Sequence, residues 1–415
     1  MKRLLKIFSI FFAVILVLTT NSLNAYAAGP DINAQGCALI DATTGEVLYG
    51  KNEDGYFEPA STTKVMTALV VLENCALDEK VTITQNFTEI DGTAVGLLKG
   101  DEVTVKDLLL GLLMESGNDC ANALAIHVSG SIPEFAKLMN EKAKSIGATN
   151  ANFENPSGLP GTHHVISPKS LALIMKEAVN NKEFMELSTT PSTTSAIIND
   201  PSRTIFINNK NYMINKNSKY YYPYAISGKN GYTTKANHTY VAAAEKDGHL
   251  LVASFLNATD KNQNFFDMQS VFNYGFDNFS FVKLYNKGDV VTDYEVSKGE
   301  NIPLIATQDI GYAVPKGQES SSSGELKIQD EDLSKKSFNE GDPILKGTVL
   351  VNGQEVETFD LVAGESRSYE PPFSKASLSN RSNLPLYISL GIGIVALCTG
   401  LGILIRVKYK KSRSV

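Results

Sequence analysis

The chain has 415 residues, with 38 Lys and Arg against 45 Asp and Glu, 43% hydrophobic residues and no tryptophan. That composition excludes a disordered chain, a collagen and a multi-span membrane protein. All of the acids lie in residues 28–385, against 30 basic side chains there, so the body of the chain is a poor match for a phosphate backbone and nucleic-acid binding is set aside.

Residues 1–27 carry Lys2, Arg3 and Lys6, then the apolar run Ile7–Leu18, then Ala25-Tyr26-Ala27. The order of charge, apolar stretch and small residues predicts a secretory signal peptide. Between about Asp31 and Phe281 helix and strand signals mix. Ala38–Ile40 and Val47–Tyr49 flank Thr43-Thr44-Gly45 as a hairpin. Val65, Ala68, Leu69 and Leu72 recur at helical spacing, as do Ala121, Leu124, Ala125 and Val128. Ser131-Ile132-Pro133-Glu134 predicts a capping box opening a third helix that Gly147 stops, and Ser167-Pro168 opens a fourth. Tyr240–Ala244 and Leu250–Leu256 around Asp247-Gly248 form a second hairpin. Strands at both ends with helices between them predict an α+β domain, one antiparallel sheet covered by helices, over residues 28–281.

Beyond that point short strands dominate: Phe281–Tyr285, Val290–Val296, Gly347–Val351 and Glu355–Phe359, with a tight primed turn at Asn352-Gly353 and an exposed loop over Lys316–Glu325. They predict a small all-β sandwich over residues 282–373. A polar linker, 374–385, leads to the uncharged stretch Leu386–Ile405, long enough at about 1.5 Å per residue to cross the ~30 Å hydrocarbon layer. The basic residues of 406–415 place the tail in the cytoplasm and the body outside, at the cell membrane. Cys37, Cys75 and Cys120 are an odd set outside this anchor, so at most one disulfide could form.

Three short motifs carry the chemistry. In Ser61-Thr62-Thr63-Lys64, positions i and i+3 share a helix face, so the lysine amine reaches the serine hydroxyl at a helix start that favours developing negative charge. A partly desolvated lysine can act as the base that serine lacks. Ser116-Gly117-Asn118 supplies a hydroxyl for proton relay and a carboxamide for a peptide bond. Lys229-Asn230-Gly231, directly preceding the strand around Tyr240, sets a cation beside a glycine where a substrate carboxylate can approach. Each motif alone is weak; together, in this order and spacing, they resemble the motif set of the penicillin-recognising serine enzymes.

The flanks sharpen this. Glu58-Pro59-Ala60-Ser61-Thr62-Thr63-Lys64-Val65-Met66, Glu115-Ser116-Gly117-Asn118-Asp119, Phe153-Glu154-Asn155-Pro156-Ser157-Gly158-Leu159 and Asn273-Tyr274-Gly275-Phe276 closely resemble the D-alanyl-D-alanine carboxypeptidase family of low-molecular-mass penicillin-binding proteins. The resemblance implies a β-lactamase/transpeptidase-like catalytic domain and removal of the terminal D-alanine from peptidoglycan stem peptides, with β-lactams as covalent inhibitors. It implies Ser61 as nucleophile, Lys64 as base, Ser116 with Asn118 as the middle motif and Lys229 as the carboxylate ligand. The backbone N–H groups of Ser61 and Tyr232 would form the oxyanion hole, with Asn230 and Gly231 beside them. Neither a metal nor an organic cofactor is implied.

Three positions depart from the family pattern. Asn230 stands where threonine is usual, Ser170 where an aspartate is common, and Asn257–Phe266 lacks an arginine that many relatives place there. Other readings fit less well. A β-lactamase needs a glutamate-activated deacylating water, and the segment around Glu154 lacks that pattern. A non-catalytic wall-binding scaffold is at odds with the survival of all three motifs. His163-His164 lacks the spacing of a metal hydrolase and points to a structural role near the site.

Overall fold

A computed structural model describes residues 29–371 and 384–411; the signal-peptide reading and nearly all of the linker lie outside these residues. The chain forms two compact units, and neither is contiguous: residues 311–324 and 351–357 group with the first unit, residues 284–310, 325–350 and 358–415 with the second.

The first unit is built on a five-stranded sheet in the order β2-β1-β11-β10-β9, with β1 Gly36–Asp41, β2 Val47–Lys51, β9 Ala225–Thr233, β10 Asn237–Lys246 and β11 His249–Ala258. Between β2 and β9 the chain forms three two-stranded ribbons: β3 Lys80–Thr82 with β4 Glu102–Thr104, β5 Ala151–Asn152 with β6 Val165–Ile166, and β7 Ser192–Ile197 with β8 Asp200–Asn208. Every neighbouring pair is antiparallel. Alternation along the strands divides two cores. Ala38, Ile40, Val241, Ala243 and Val252 enter a large helical core on one face, while Cys37, Leu39, Ala242, Ala244 and Ala253 meet Phe265, Met268 and Phe272 on the other. Those three residues belong to a helix over Gln263–Asn278 that closes the second face. Burial on both faces is why β1 reads as a continuous apolar run rather than an alternating one.

The helices on the first face are α1 Thr63–Asn74, α2 Val105–Leu110, α3 Asn118–Ser129, α4 Ile132–Ser145, α5 Pro168–Val179 and α6 Lys182–Thr189. All of α1 from Thr63 to Val71 is buried, Lys64 included, so its polar side chains must be satisfied internally. The start signals hold with one adjustment. Ser131 caps α4 by accepting from the Glu134 N–H, but the Glu134 carboxylate turns outward to Lys137, 2.6 Å away, and the box is only half formed. The reciprocal box occurs instead at Thr104 and Asp107, heading α2. Both central residues of the turns Asp247-Gly248 and Asn352-Gly353 have positive φ, as primed turns require.

The C-terminal region is all-β. It contains a five-stranded sheet in the order β13-β14-β18-β17-β16, formed by Val290–Ser297, Glu300–Ala306, Gln354–Ala363, Pro343–Val351 and Gly324–Ile328, and a two-stranded ribbon of β12 Phe279–Tyr285 with β15 Ile310–Pro315. A final helix runs Leu384–Lys411, and across Ser389–Arg406 its mean hydropathy is 1.9 and none of its residues is buried. Cys37, Cys75, Cys120 and Cys398 are all free thiols.

Candidate active site

The nucleophile turn explains its own sequence. Ala60 takes a positive φ of 48°, a short 3-10 turn covers Ala60–Thr62, and the α-helical bonds begin at Thr63, so Ser61 stands just ahead of α1. Thr62 and Thr239 both donate to the Pro59 carbonyl, at 2.6 and 2.8 Å, tying the turn to β10. Gly158, at φ 85°, lies so close that a Cβ there would overlap the Ala60 carbonyl.

Lys64 Nζ lies 3.0 Å from Ser61 Oγ, 2.7 Å from Asn118 Oδ1 and 2.5 Å from the Ser157 carbonyl oxygen. Burial, then the nearby Lys229 charge, holds the amine well below the ordinary lysine range. The geometry then orients the base. Two of its three neighbours can only accept, so a neutral amine spends both N–H bonds on Asn118 and Ser157. Its lone pair is left facing the Ser61 hydroxyl. Asn118 is itself clamped, since its Nδ2 donates to the Asp91 carbonyl at 2.7 Å. The carboxamide read from the sequence as a substrate contact therefore serves first to hold Lys64.

Ser116 caps a π-helical turn over Gly111–Glu115 and adopts φ 68°, a strained conformation for a serine, which turns its hydroxyl toward Lys229 Nζ at 3.1 Å. Lys229 also donates to the Asn230 carbonyl at 2.8 Å, and burial, then Lys210, pushes its ammonium down to about 7. The Lys229-Asn230-Gly231 triplet lies within β9 rather than before the strand at Tyr240, a correction to the sequence reading. Two glycines, a lysine and an asparagine hide the strand signal, and pairing of Lys229 with Val241 and Asn230 with Tyr240 supplies it. A Cβ on Gly231 would sit 2.6 Å from the Ser61 backbone nitrogen, so only glycine lets β9 approach the nucleophile turn this closely. As an edge strand of its sheet, β9 faces the cleft.

Two cavities meet at Ser61 and Tyr232. One, of about 290 Å³, includes Ser116, Lys229, Asn230, Gly231, His238 and Lys261 in its lining. The other, also about 290 Å³, extends past Asn118, Ser157, Gly158 and Leu159. Seven of the eight residues expected in the site line these two cavities, and the eighth, the buried Lys64, bonds Ser61 from beneath. Sequence reasoning missed the Ser157 carbonyl on Lys64, the Glu115–Lys210 ion pair at 2.6 Å beside the cleft, and Lys261. Lys261 falls in the very segment read as lacking an arginine.

Supporting groups are buried and bonded. The Glu154 N–H donates to His164 Nδ1 at 3.0 Å, which assigns the ring proton to Nε2, 3.0 Å from Thr63 Oγ1. Burial pushes the pKa of His164 down to about 4. It is therefore neutral at physiological pH and braces α1, in keeping with the structural role expected of it. Asn155 accepts from the Ser157 and Gly158 N–H groups at 3.1 and 2.8 Å, shaping the loop that presents the Ser157 carbonyl. The buried Asp119 carboxylate accepts from Val95, Gly96 and Leu97 N–H groups at 2.9–3.1 Å, holding a loop beside the middle motif.

A serine with an adjoining buried lysine base, in a groove beside a sheet edge, defines a serine acyl-transfer hydrolase. The D-alanyl-D-alanine carboxypeptidase family model matches residues 23–260, and the model for the C-terminal domain of penicillin-binding protein 5 matches residues 279–368. A D-alanyl-D-alanine carboxypeptidase of Bacillus subtilis, DacF, is 30% identical over 325 residues, spanning 76% of this chain and 80% of that protein. Among solved structures, penicillin-binding protein 5 of Haemophilus influenzae matches with TM-score 0.63 and 25% identity over 82% of this chain and 99% of that one. A D-alanyl-D-alanine carboxypeptidase of Mycobacterium tuberculosis matches with TM-score 0.56 and 32% identity over 61% and 95%. The chain belongs to the D-alanyl-D-alanine carboxypeptidase family and is a serine peptidase.

Proposed function

We propose that this protein removes the terminal D-alanine from peptidoglycan stem peptides through a Ser61 ester. The observation that carries this is the Lys64 amine, buried and 3.0 Å from Ser61 Oγ, with the Asn118 and Ser157 oxygens beside it as two fixed acceptors. Lys64 takes the Ser61 proton as Oγ bonds to the carbonyl carbon of the penultimate residue. The backbone N–H groups of Ser61 and Tyr232 receive the oxyanion. Collapse breaks the C–N bond, and the proton reaches the leaving D-alanine nitrogen by way of Ser116. Water then attacks the ester, returns its proton through Lys64 and releases the shortened peptide. A β-lactam follows the first half of this path, but its leaving nitrogen stays tethered in the ring-opened product.

The terminal carboxylate is held by Lys229 with Asn230, and Lys261 in the same cavity supplies the second cation that an arginine would otherwise provide. An ammonium offers a point charge rather than a bidentate fork, so carboxylate binding here is less directional than with arginine. The helix over Leu384–Lys411, apolar all round and exposed along Ser389–Arg406, acts as a single membrane anchor, with the signal peptide delivering the catalytic unit to the outer face.

The test is labelling by a fluorescent penicillin. The wild type should label covalently at Ser61, and Ser61→Ala should lose labelling while retaining the wild-type circular dichroism spectrum. Lys64→Ala should slow acylation by several orders of magnitude. Undiminished labelling of a folded Ser61→Ala protein would overturn the mechanism.

A further inference from the structure

Away from the active-site groove, Cys75, Glu79 and His127 gather their ligand atoms within 4.8 Å of one another. Cys75 is the residue that ends α1, His127 lies in the last turn of α3, and Glu79 sits on the connection that follows α1. His127 Nε2 and Glu79 Oε1 are already 2.8 Å apart. Adjacent ligands around a tetrahedral zinc lie roughly 3–4 Å apart, given bonds of about 2.0 Å to nitrogen and oxygen and 2.3 Å to sulfur. Small side-chain movements would therefore close the triad on one ion. The backbone beneath is fixed: Cys75 N–H donates to the Val71 carbonyl at 2.9 Å, and Val105 N–H donates to the Glu79 carbonyl at 2.9 Å. A cavity of about 250 Å³ lined by His127, Phe87 and Thr84 lies alongside, with room for a water as fourth ligand.

We propose that Cys75, Glu79 and His127 form a zinc site that ties the C-terminal ends of α1 and α3 together. The mixed sulfur, nitrogen and carboxylate set suits a borderline-soft ion of zinc type better than calcium or magnesium, which take oxygen ligands. The two helices it joins are those whose opposite ends carry Ser61 with Lys64 and Asn118. The ion is thus a brace for the catalytic helices, far along them from the chemistry. Zinc binds the thiolate, so the Cys75 proton is released to solvent and affinity rises with pH.

The full-length protein, purified in detergent without a polyhistidine tag, is titrated with zinc by calorimetry and with cobalt(II) by absorbance. One ion should bind per chain at micromolar concentration, the melting temperature should rise, and the cobalt form should show a near-ultraviolet sulfur-to-metal charge-transfer band. Cys75→Ser should abolish that band, and His127→Gln should weaken zinc at least tenfold. Both variants should keep wild-type penicillin labelling, which separates loss of this site from loss of the fold or of the catalytic reading. Absence of stoichiometric binding, a cobalt spectrum without the thiolate band, or unchanged zinc affinity in both variants would overturn the proposal.

Discussion

At the scale of single residues, the proposed mechanism requires two lysines of one cleft to differ in protonation state. Burial, then the Lys229 charge, holds the Lys64 amine well below the ordinary lysine range, which favours the neutral form that can accept a proton. Lys229 must be cationic to hold a carboxylate, yet burial and Lys210 bring it down to about 7. The pH dependence follows from these signs. In the free enzyme, kcat/KM should rise as Lys64 loses its proton and fall again above about pH 7 as Lys229 loses its own. A bound carboxylate favours the charged lysine and raises its pKa, by about one unit or more. The alkaline limb of kcat should therefore lie above that of kcat/KM when a peptide with a free C-terminus is the substrate, and measuring both profiles checks it. Coincident alkaline limbs would remove Lys229 from carboxylate binding. The motifs assign each lysine its expected role, but the burial that separates their protonation is not legible in the sequence, where an isolated lysine is as readily a solvated surface charge.

At the scale of elements, the nucleophile turn depends on a glycine from another loop. Gly158 combines a positive φ of 85° with contact against Ala60, whereas Gly130, at φ 77°, faces open space at the end of α3. The two positions separate backbone strain from steric displacement. Gly130→Ala should cost about 1–2 kcal/mol through strain alone and leave penicillin acylation unchanged. Gly158→Ala should cost more, ~3 kcal/mol, and slow acylation at least tenfold, because the Ala60–Ser61 turn must move. Thermal melts with acylation rates for both variants decide this. The same comparison shows where sequence reading reached its limit. The helices α1, α3, α4 and α5 were legible from apolar spacing and caps, because those signals are local. The strand β9 was not, since its residues are poor strand formers held there by β10 and by the need for close approach to Ser61.

At the scale of the whole molecule, an apolar exposed helix at one end and a signal-like stretch at the other frame the catalytic and all-β regions. Protease added to intact cells should release a soluble, penicillin-labelling fragment by cutting within residues 374–382. Activity that stays protected until lysis would place the catalytic unit on the other side of the membrane.

The sequence alone determined the order of the three motifs, the family, the α+β class and the apolar terminal segment, because these rest on residue identity and on short-range periodicity. Only the tertiary structure decided what each motif residue touches. Asn118 turned out to clamp Lys64, Ser116 to pair with Lys229, and Ser157 to enter the site through its backbone carbonyl. Lys64 and Asn118 are 54 positions apart, and Lys229 and Ser116 are 113 apart. Contacts at such separations depend on how the sheet and helices pack, and a carbonyl oxygen, common to every residue, leaves no trace in the side-chain alphabet.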